Sequence, residues 1–98
     1  MASIGLLTLH LHIEHAQSLK DKRQVLRPLK DRLRKRFNVS VAELDFQDSW
    51  QSSLIGIVTI SSSESYARQL LESVEREASR MLAADLRSVE IEFFQDAP

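Results

Sequence analysis

Three histidines close to the amino terminus are the first residues whose type and spacing suggest chemistry. His10 and His12 share one face of a predicted strand, with Cβ atoms about 7 Å apart, and His15 follows. Imidazole rings at such a spacing are able to ligate zinc or copper. A second interpretation pairs His10 and His12 with Glu90 and Glu92 on a neighbouring strand, and a third is a pH-responsive interface. We favour the paired arrangement and predict no metal site.

The chain lacks the residues that most catalytic and cofactor sites need. It contains no cysteine, which excludes thiol catalysis, disulfides and cysteine-based zinc sites. Its two glycines, Gly5 and Gly56, fall inside predicted strands, so no glycine-rich phosphate loop is present. No nucleophile has an evident activating base. We therefore predict a non-enzymatic protein with no cofactor.

The clearest signal for binding is a basic segment at residues 18–37. This segment holds nine basic and two acidic residues, a charge of +7, whereas the other 78 residues hold four basic and twelve acidic residues, a charge of −8. The total of −1 therefore hides a divided charge distribution. At about 100° per residue, five of the basic residues fall within about a quarter turn along about 21 Å of helix, with no acid interrupting them. We call them the basic row: Lys20, Arg23, Arg27, Lys30 and Arg34.

A row of cations of this length fits a polyanion. Each Lys or Arg that meets a phosphate releases counterions, so affinity falls as salt rises. Two alternatives stay open, because the row could instead dock on an acidic protein surface or be a solvated face whose long side chains cover apolar residues. Arg32 and Arg36 fall on the opposite flank of the helix. Among ligands, nucleic acid is the one that the row favours.

Periodic patterns predict six secondary-structure elements. Ser18 is the expected N-cap of the first helix, and Ser61, with Glu64 three residues later, is the expected N-cap of the second. Pro28 lies inside the first helix, where we expect a bend near Arg27 or, as a less favoured alternative, two short helices. The elements are strands at residues 4–14, 38–46, 54–61 and 86–94, and helices at residues 18–36 and after residue 61.

The order of these elements, βαββαβ, is typical of a ferredoxin-like fold. In this α+β fold a four-stranded antiparallel sheet carries two helices on one face, and the first and third strands are central. Those are the two strands whose sequences are apolar on both faces. We expect one domain over residues 1–98. Neither central strand contains an aromatic residue, unlike an RNA-recognition module that stacks bases on its sheet.

The sheet face without helices is predicted to be too apolar to stay exposed to water. Ile4 and Leu6 point to that face, so we expect a homo-oligomer, most simply a dimer, to cover it. Trp50, in a polar loop, is the third candidate interface residue, although a Trp so placed more often closes the end of a small core. A small-molecule pocket at a dimer seam is a weaker alternative.

No stretch of about 18 uncharged apolar residues is present, and the first residues lack the pattern of a signal peptide. We therefore expect a cytoplasmic protein without a membrane partner.

Several motifs together resemble the YlxP-like family of small bacterial proteins. The matching stretches are SLKDKR at residues 18–23, RLRKRFNVSVAE at residues 32–43, the residues Asp45, Gln47, Asp48, Trp50 and Gln51, and the opening Gly5-Leu6-Leu7. The resemblance implies a ferredoxin-like fold and a bacterial cytoplasmic setting. Members are often encoded beside translation initiation factor two and a ribosome-binding factor, which implies a role in ribosome maturation or translation. The family pattern does not require Pro28.

These observations lead to one hypothesis and one alternative. The first is a non-enzymatic module that binds RNA or the ribosome through the basic row. The alternative is a homo-oligomeric assembly protein whose basic helix docks on acidic protein surface.

Overall fold

A computed structural model describes residues 1–95 of the chain. The strands are β1 (Ser3–His12), β2 (Ser40–Asp45), β3 (Ser52–Ser61) and β4 (Leu86–Gln95), and the helices are α1 (Leu19–Arg36) and α2 (Glu64–Leu82), with a 3₁₀ turn at Ala83–Asp85. All six predicted elements are therefore present. Within residues 1–95, no helix combines the length and the apolar character needed to cross a membrane.

The four strands form one antiparallel sheet in the order β2-β3-β1-β4. Leu7 of β1 lies opposite Ile57 of β3 on one side and Ile91 of β4 on the other. The two strands that are apolar on both faces are thus central, since only there are both faces at least partly covered. The ferredoxin-like βαββαβ fold is confirmed by this order.

Both helices pack on one face of the sheet and enclose the core. Alternate residues of β1 point to this face, while α1 and α2 contribute apolar residues at spacings of three and four. Gly5 lies there too, and a Cβ on it would stand 2.6 Å from Leu71 Cδ1, so α2 approaches β1 closely because the glycine has no side chain. The fully buried core includes Leu7, Leu9, Leu29, Leu33, Ile55, Ile57, Leu71 and Val74.

The predicted N-cap is confirmed for α1 and wrong for α2. Ser18 is the N-cap of α1, because its side-chain oxygen accepts a hydrogen bond from the backbone N–H of Asp21 at 3.0 Å. The predicted cap of α2 at Ser61 is wrong. Ser63 caps that helix by accepting from the N–H of Tyr66, while Ser61 Oγ accepts from the N–H of Ser63. The helix therefore begins two residues later than the pattern indicated.

Pro28 does not interrupt α1. The helix is continuous from Leu19 to Arg36 with the proline inside it, so the alternative of two short helices is wrong. Pro28 is exposed, and its ring faces solvent rather than the core. The carbonyl of Gln24 loses its helical hydrogen bond to the missing N–H, a loss that water can offset at an exposed position.

The other face of the sheet is open and largely apolar at one end. Ile4 and Leu6 are half-buried at its centre, opposite Ile60 and Val58 of β3. Ile60 is 63% exposed, and Phe94 of β4, which lies opposite Ile4, is 49% exposed. This end of the face therefore presents contiguous apolar side chains.

Candidate nucleic-acid interface

The basic row lies along the flank of α1 that faces the edge strand β2. Lys20, Arg23 and Arg27 are exposed and Lys30 is half-buried. Arg23, Arg27 and Lys30 line one side of a cleft of about 260 Å³, and Glu43 of β2, which pairs with Lys22, and Gln47, just beyond β2, line the other side. The predicted row is thus a continuous surface that reaches from the first turn of α1 toward the sheet edge.

Four cations of the row keep their charge available for a ligand. Within residues 1–95, the side chains of Lys20, Arg23, Arg27 and Lys30 make no ion pair and no hydrogen bond. Among the described residues, the acids that form ion pairs with cations of α1 are Glu43 and Glu77. Their partners in α1 lie outside the row and are Lys22, Arg32 and Arg36. The row therefore carries at least four unneutralised positive charges.

Arg34, the fifth member of the row, also has a structural contact. Its Nη2 donates a hydrogen bond to the backbone carbonyl of Val41 in β2 at 2.6 Å. This bond joins the last turns of α1 to the edge strand. Arg34 keeps its charge and its other N–H donors, so it serves the row while also holding β2.

Arg32 and Arg36 lie on the opposite flank, as predicted, and surround a buried carboxylate. Glu77 of α2 is 3.4 Å from Arg32 Nε and 2.6 Å from Arg36 Nη1, and it also binds Arg80. The hydrogen bond from Arg80 lowers the pKa of Glu77 below its ordinary value of 4.5, and the positive charges of Arg80, Arg36 and Arg32 lower it further against the opposing effect of burial. These arginines connect α1 to α2 and lie away from the basic row.

Lys22 is the functional residue of α1 that sequence reasoning missed. It lies beside the row in sequence, yet it is only 2% exposed. Its Nζ donates to the carbonyls of Phe46 at 2.7 Å and Ser49 at 2.9 Å, and it lies 2.8 Å from Glu43 Oε2. A signal was present, because Lys22 is three residues after Leu19 and four before Leu26 and so falls within the apolar stripe of the helix.

The bonds of Lys22 fix residues 46–51, the segment between β2 and β3 that we call the aromatic loop. Phe46 has a positive φ of 67°, a conformation that costs about 1–3 kcal/mol for a residue with a large side chain. Its carbonyl accepts from both Lys22 Nζ and the N–H of Ser49, at 2.7 and 3.0 Å. At the other end of the loop, Gln51 Nε2 donates to the carbonyl of Glu14 at 2.9 Å. The loop is therefore held at both ends.

Trp50 points out of this fixed loop. It is 55% exposed, and Phe46 is 47% exposed. The expectation that Trp50 closes the end of the core is therefore wrong. Polar contacts, rather than burial of the indole ring, hold the loop against the rest of the protein. Trp50 also lies far from Ile4 and Leu6. It precedes β3 at the end where Ser52 meets His12, about 26 Å of strand from Ile4.

The histidine predictions are confirmed only in part. His10 Nε2 lies 3.7 Å from Glu90 Oε1, as the paired arrangement expected. The pairing of His12 with Glu92 is wrong, because Glu92 lies opposite Leu6, six residues before His12 in β1. Across the described 95 residues, no group of three or more His, Cys, Asp or Glu side chains is placed to hold a metal ion.

Comparison with known proteins places the chain in a family. A family model described as "Protein of unknown function (DUF503)" matches residues 4–91. The chain belongs to this family. The uncharacterized protein YlxP of Bacillus subtilis (strain 168) is 39% identical to it over 80 residues, which cover 82% of this chain and 79% of that protein. The resemblance to the YlxP-like family is thereby confirmed.

Solved structures share the fold with little sequence identity. The de novo designed protein Foldit4 matches with a TM-score of 0.61 at 11% identity, covering 99% of this chain and 100% of that chain. A second de novo designed protein, with ferredoxin fold, matches with a TM-score of 0.49 at 13% identity, covering 96% of this chain and 84% of that chain. At such identities the likeness concerns the fold alone.

Proposed function

We propose that this protein is a non-enzymatic RNA-binding module that uses the basic row to contact phosphates. The observation that carries the proposal is the set of four neighbouring cations, Lys20, Arg23, Arg27 and Lys30, whose side chains have no partner within residues 1–95. Like charges at this spacing repel one another, so the isolated helix gains nothing from them. A phosphate backbone relieves that repulsion and releases counterions as it binds.

Ribosomal RNA in the cytoplasm is the first RNA to test. The YlxP-like resemblance supports this choice, because members of that family are often encoded beside translation initiation factor two and a ribosome-binding factor. The row carries no base-reading pattern, so we propose that shape and charge, rather than sequence, select the RNA.

Charge reversal within the row tests the proposal. Arg23→Glu with Arg27→Glu changes two residues whose side chains have no intramolecular partner in the described chain, so the fold should survive. Arg76→Glu with Arg87→Glu is the matched control, since it changes the net charge equally at exposed positions on α2 and β4. We expect fluorescence anisotropy with ribosomal RNA fragments to show affinity at least about tenfold weaker for the row variant than for the control.

Two results would contradict the proposal. Equal loss in both variants would mean that only the net charge matters. Absence of RNA binding by the wild-type protein at low salt would remove the proposed ligand altogether.

A second candidate function is self-association. Ile60 and Phe94 are largely exposed on the open sheet face, and the carboxylates of Glu90 and Glu92 on β4 are exposed beside them. In this arrangement a second copy of the chain covers the apolar end of the open sheet face, and the basic helix of that second copy lies near Glu90 and Glu92 of the first. Light scattering at low and high salt distinguishes the candidates, because a salt-sensitive dimer without RNA affinity favours assembly.

A further inference from the structure

The aromatic loop borders the basic row. Lys22, whose Nζ binds two carbonyls of the loop, lies between Lys20 and Arg23 in α1. Gln47 of the loop lines the same cleft as Arg23, Arg27 and Lys30. A ligand lying on the row therefore meets the loop at the sheet edge.

The loop presents two half-exposed rings on a backbone that is held by polar contacts. Phe46 and Trp50 are about half exposed, while the loop backbone is held by Lys22, by Ser49 and by Gln51. The positive φ of Phe46 is maintained by two hydrogen bonds to its carbonyl. A loop whose backbone is fixed before binding loses less conformational freedom when a ligand stacks on its rings.

The surroundings of Trp50 favour an uncharged planar group. Trp50 shares a surface depression of about 370 Å³ with Asp48, Ser49 and Gln51. The carboxylate of Asp48 repels phosphate, whereas the cations of α1 attract it. Phosphates are therefore expected along α1 and a nucleobase against the indole ring.

We propose that the ligand is single-stranded nucleic acid, with its phosphates on the basic row and a base stacked on Trp50. This inference rests on the proposed function and names its substrate class. In a duplex the faces of the bases are stacked on one another, so the indole has no base to cover. A single strand exposes those faces, and stacking on aromatic side chains tolerates any sequence.

The intrinsic fluorescence of Trp50 provides a direct test, because it is the single Trp of the chain. The probes are a mixed-sequence RNA dodecamer and the same dodecamer annealed to its complement. We expect the single strand to quench Trp50 and to bind more tightly than the duplex. Trp50→Ala should weaken single-strand binding about tenfold with little effect on the duplex.

Two further variants make the test specific. Trp50→Phe keeps a ring and should retain most of the single-strand affinity. A merely structural role of the loop would instead make Trp50→Ala weaken single-strand and duplex binding alike. Tyr66→Ala removes another exposed aromatic, on α2 and away from the row, and should change neither affinity. Circular dichroism checks that each variant is folded.

The outcomes separate this inference from the proposed function. Equal affinity for single strand and duplex, with no quenching of Trp50, would overturn the inference while leaving RNA binding by the row intact. Loss of affinity for both probes in Trp50→Ala would also overturn it. If neither probe binds the wild-type protein, the proposed function fails, and the inference fails with it.

Discussion

Lys22 and its neighbours Lys20 and Arg23 carry the same charge but have different roles. The side chain of Lys22 is buried and its three N–H groups meet three oxygens, those of Phe46, Ser49 and Glu43. A buried ammonium is tolerated only when it is paired and hydrogen-bonded in this way. Lys20 and Arg23, by contrast, are exposed, and within residues 1–95 their side chains make no ion pair.

Replacing Lys22 should destabilise the protein strongly. Lys22→Met removes the cation that pairs with Glu43, takes one of two donors from the Phe46 carbonyl and leaves the Ser49 carbonyl without its donor. Removing one member of a buried pair costs about 3 kcal/mol. Urea denaturation measures the change in the free energy of unfolding. Lys20→Met, at an exposed position, is the matched control and should change the free energy of unfolding by less than about 0.5 kcal/mol.

A double variant tests whether the pair is the cause. Lys22→Met with Glu43→Leu removes both charges and should be less destabilised than the sum of the two single changes. Strict additivity would mean that Lys22 and Glu43 do not interact in solution.

Glu77 should make stability depend on pH in the acid range. Its pKa is lowered in the folded protein by the hydrogen bond from Arg80 and by the charges of Arg80, Arg36 and Arg32. A lowered folded pKa means that the stabilisation is complete above the ordinary value of 4.5 and is lost as pH falls through the folded value. We expect Glu77→Gln to lower the melting temperature at pH 7. The difference from wild type should shrink as the pH falls below 4.5 toward the lowered pKa of Glu77.

Glu72→Gln serves as the control for this pH series. Glu72 is exposed on the same helix, and within residues 1–95 its side chain has no ion pair. A difference between wild type and Glu77→Gln that stays constant from pH 7 to about pH 3 would rule out the linkage.

At the scale of elements, α1 combines three surfaces in one helix. One flank carries the basic row, the opposite flank carries Arg32 and Arg36 toward Glu77, and the stripe between them packs on the sheet. A continuous helix keeps these surfaces in register over its 18 residues. Pro28 therefore lowers the stability of the helix but does not divide the basic row.

Removing that proline should stabilise the protein. Pro28→Ala restores the hydrogen bond to the Gln24 carbonyl at an exposed position, and the gain is about 2 kcal/mol after allowing for the greater freedom of the unfolded chain. Thermal denaturation checks this, with Gln24→Ala as a control that should change little. A lower melting temperature for Pro28→Ala would show that the proline has a packing role.

The elements themselves were predictable because each pattern is local. Apolar residues on both faces of β1 and β3 indicate their central positions, and the leucines of α1 indicate its buried stripe. The cap of α2 was misplaced because three consecutive serines precede the helix and only Ser61 has a Glu three residues later, whereas Ser63, the actual cap, has Tyr66 at that position.

The candidate site was less predictable because much of it depends on distant contacts. The row follows from helical spacing, and its five members share a flank as expected. The role of Lys22 depends on carbonyls 24 and 27 residues away, and the exposure of Trp50 follows from that anchor. The pairing of His12 with Glu92 failed because the register of β1 against β4, which places Glu92 opposite Leu6, is set by contacts distant in sequence.

At the scale of the whole molecule, the positive charge is concentrated on α1, which holds nine of the thirteen Lys and Arg residues of the chain. The basic row lies beside the edge strand β2, whereas Glu90 and Glu92 are exposed on β4 at the other edge. Such a charge distribution orients the protein in the field of a polyanion and speeds encounter at low salt. A net charge of −1 thus coexists with one strongly cationic surface.

The most direct test of phosphate binding by the row is the salt dependence of RNA affinity. Between about 50 and 200 mM salt, the logarithm of the association constant for the single-stranded dodecamer should fall against the logarithm of salt with a slope of about −3, since four contacts each contribute about −0.7. Arg23→Glu with Arg27→Glu removes two contacts and should reduce the slope to about −1.5. A slope near zero, or the same slope in both proteins, would contradict the account.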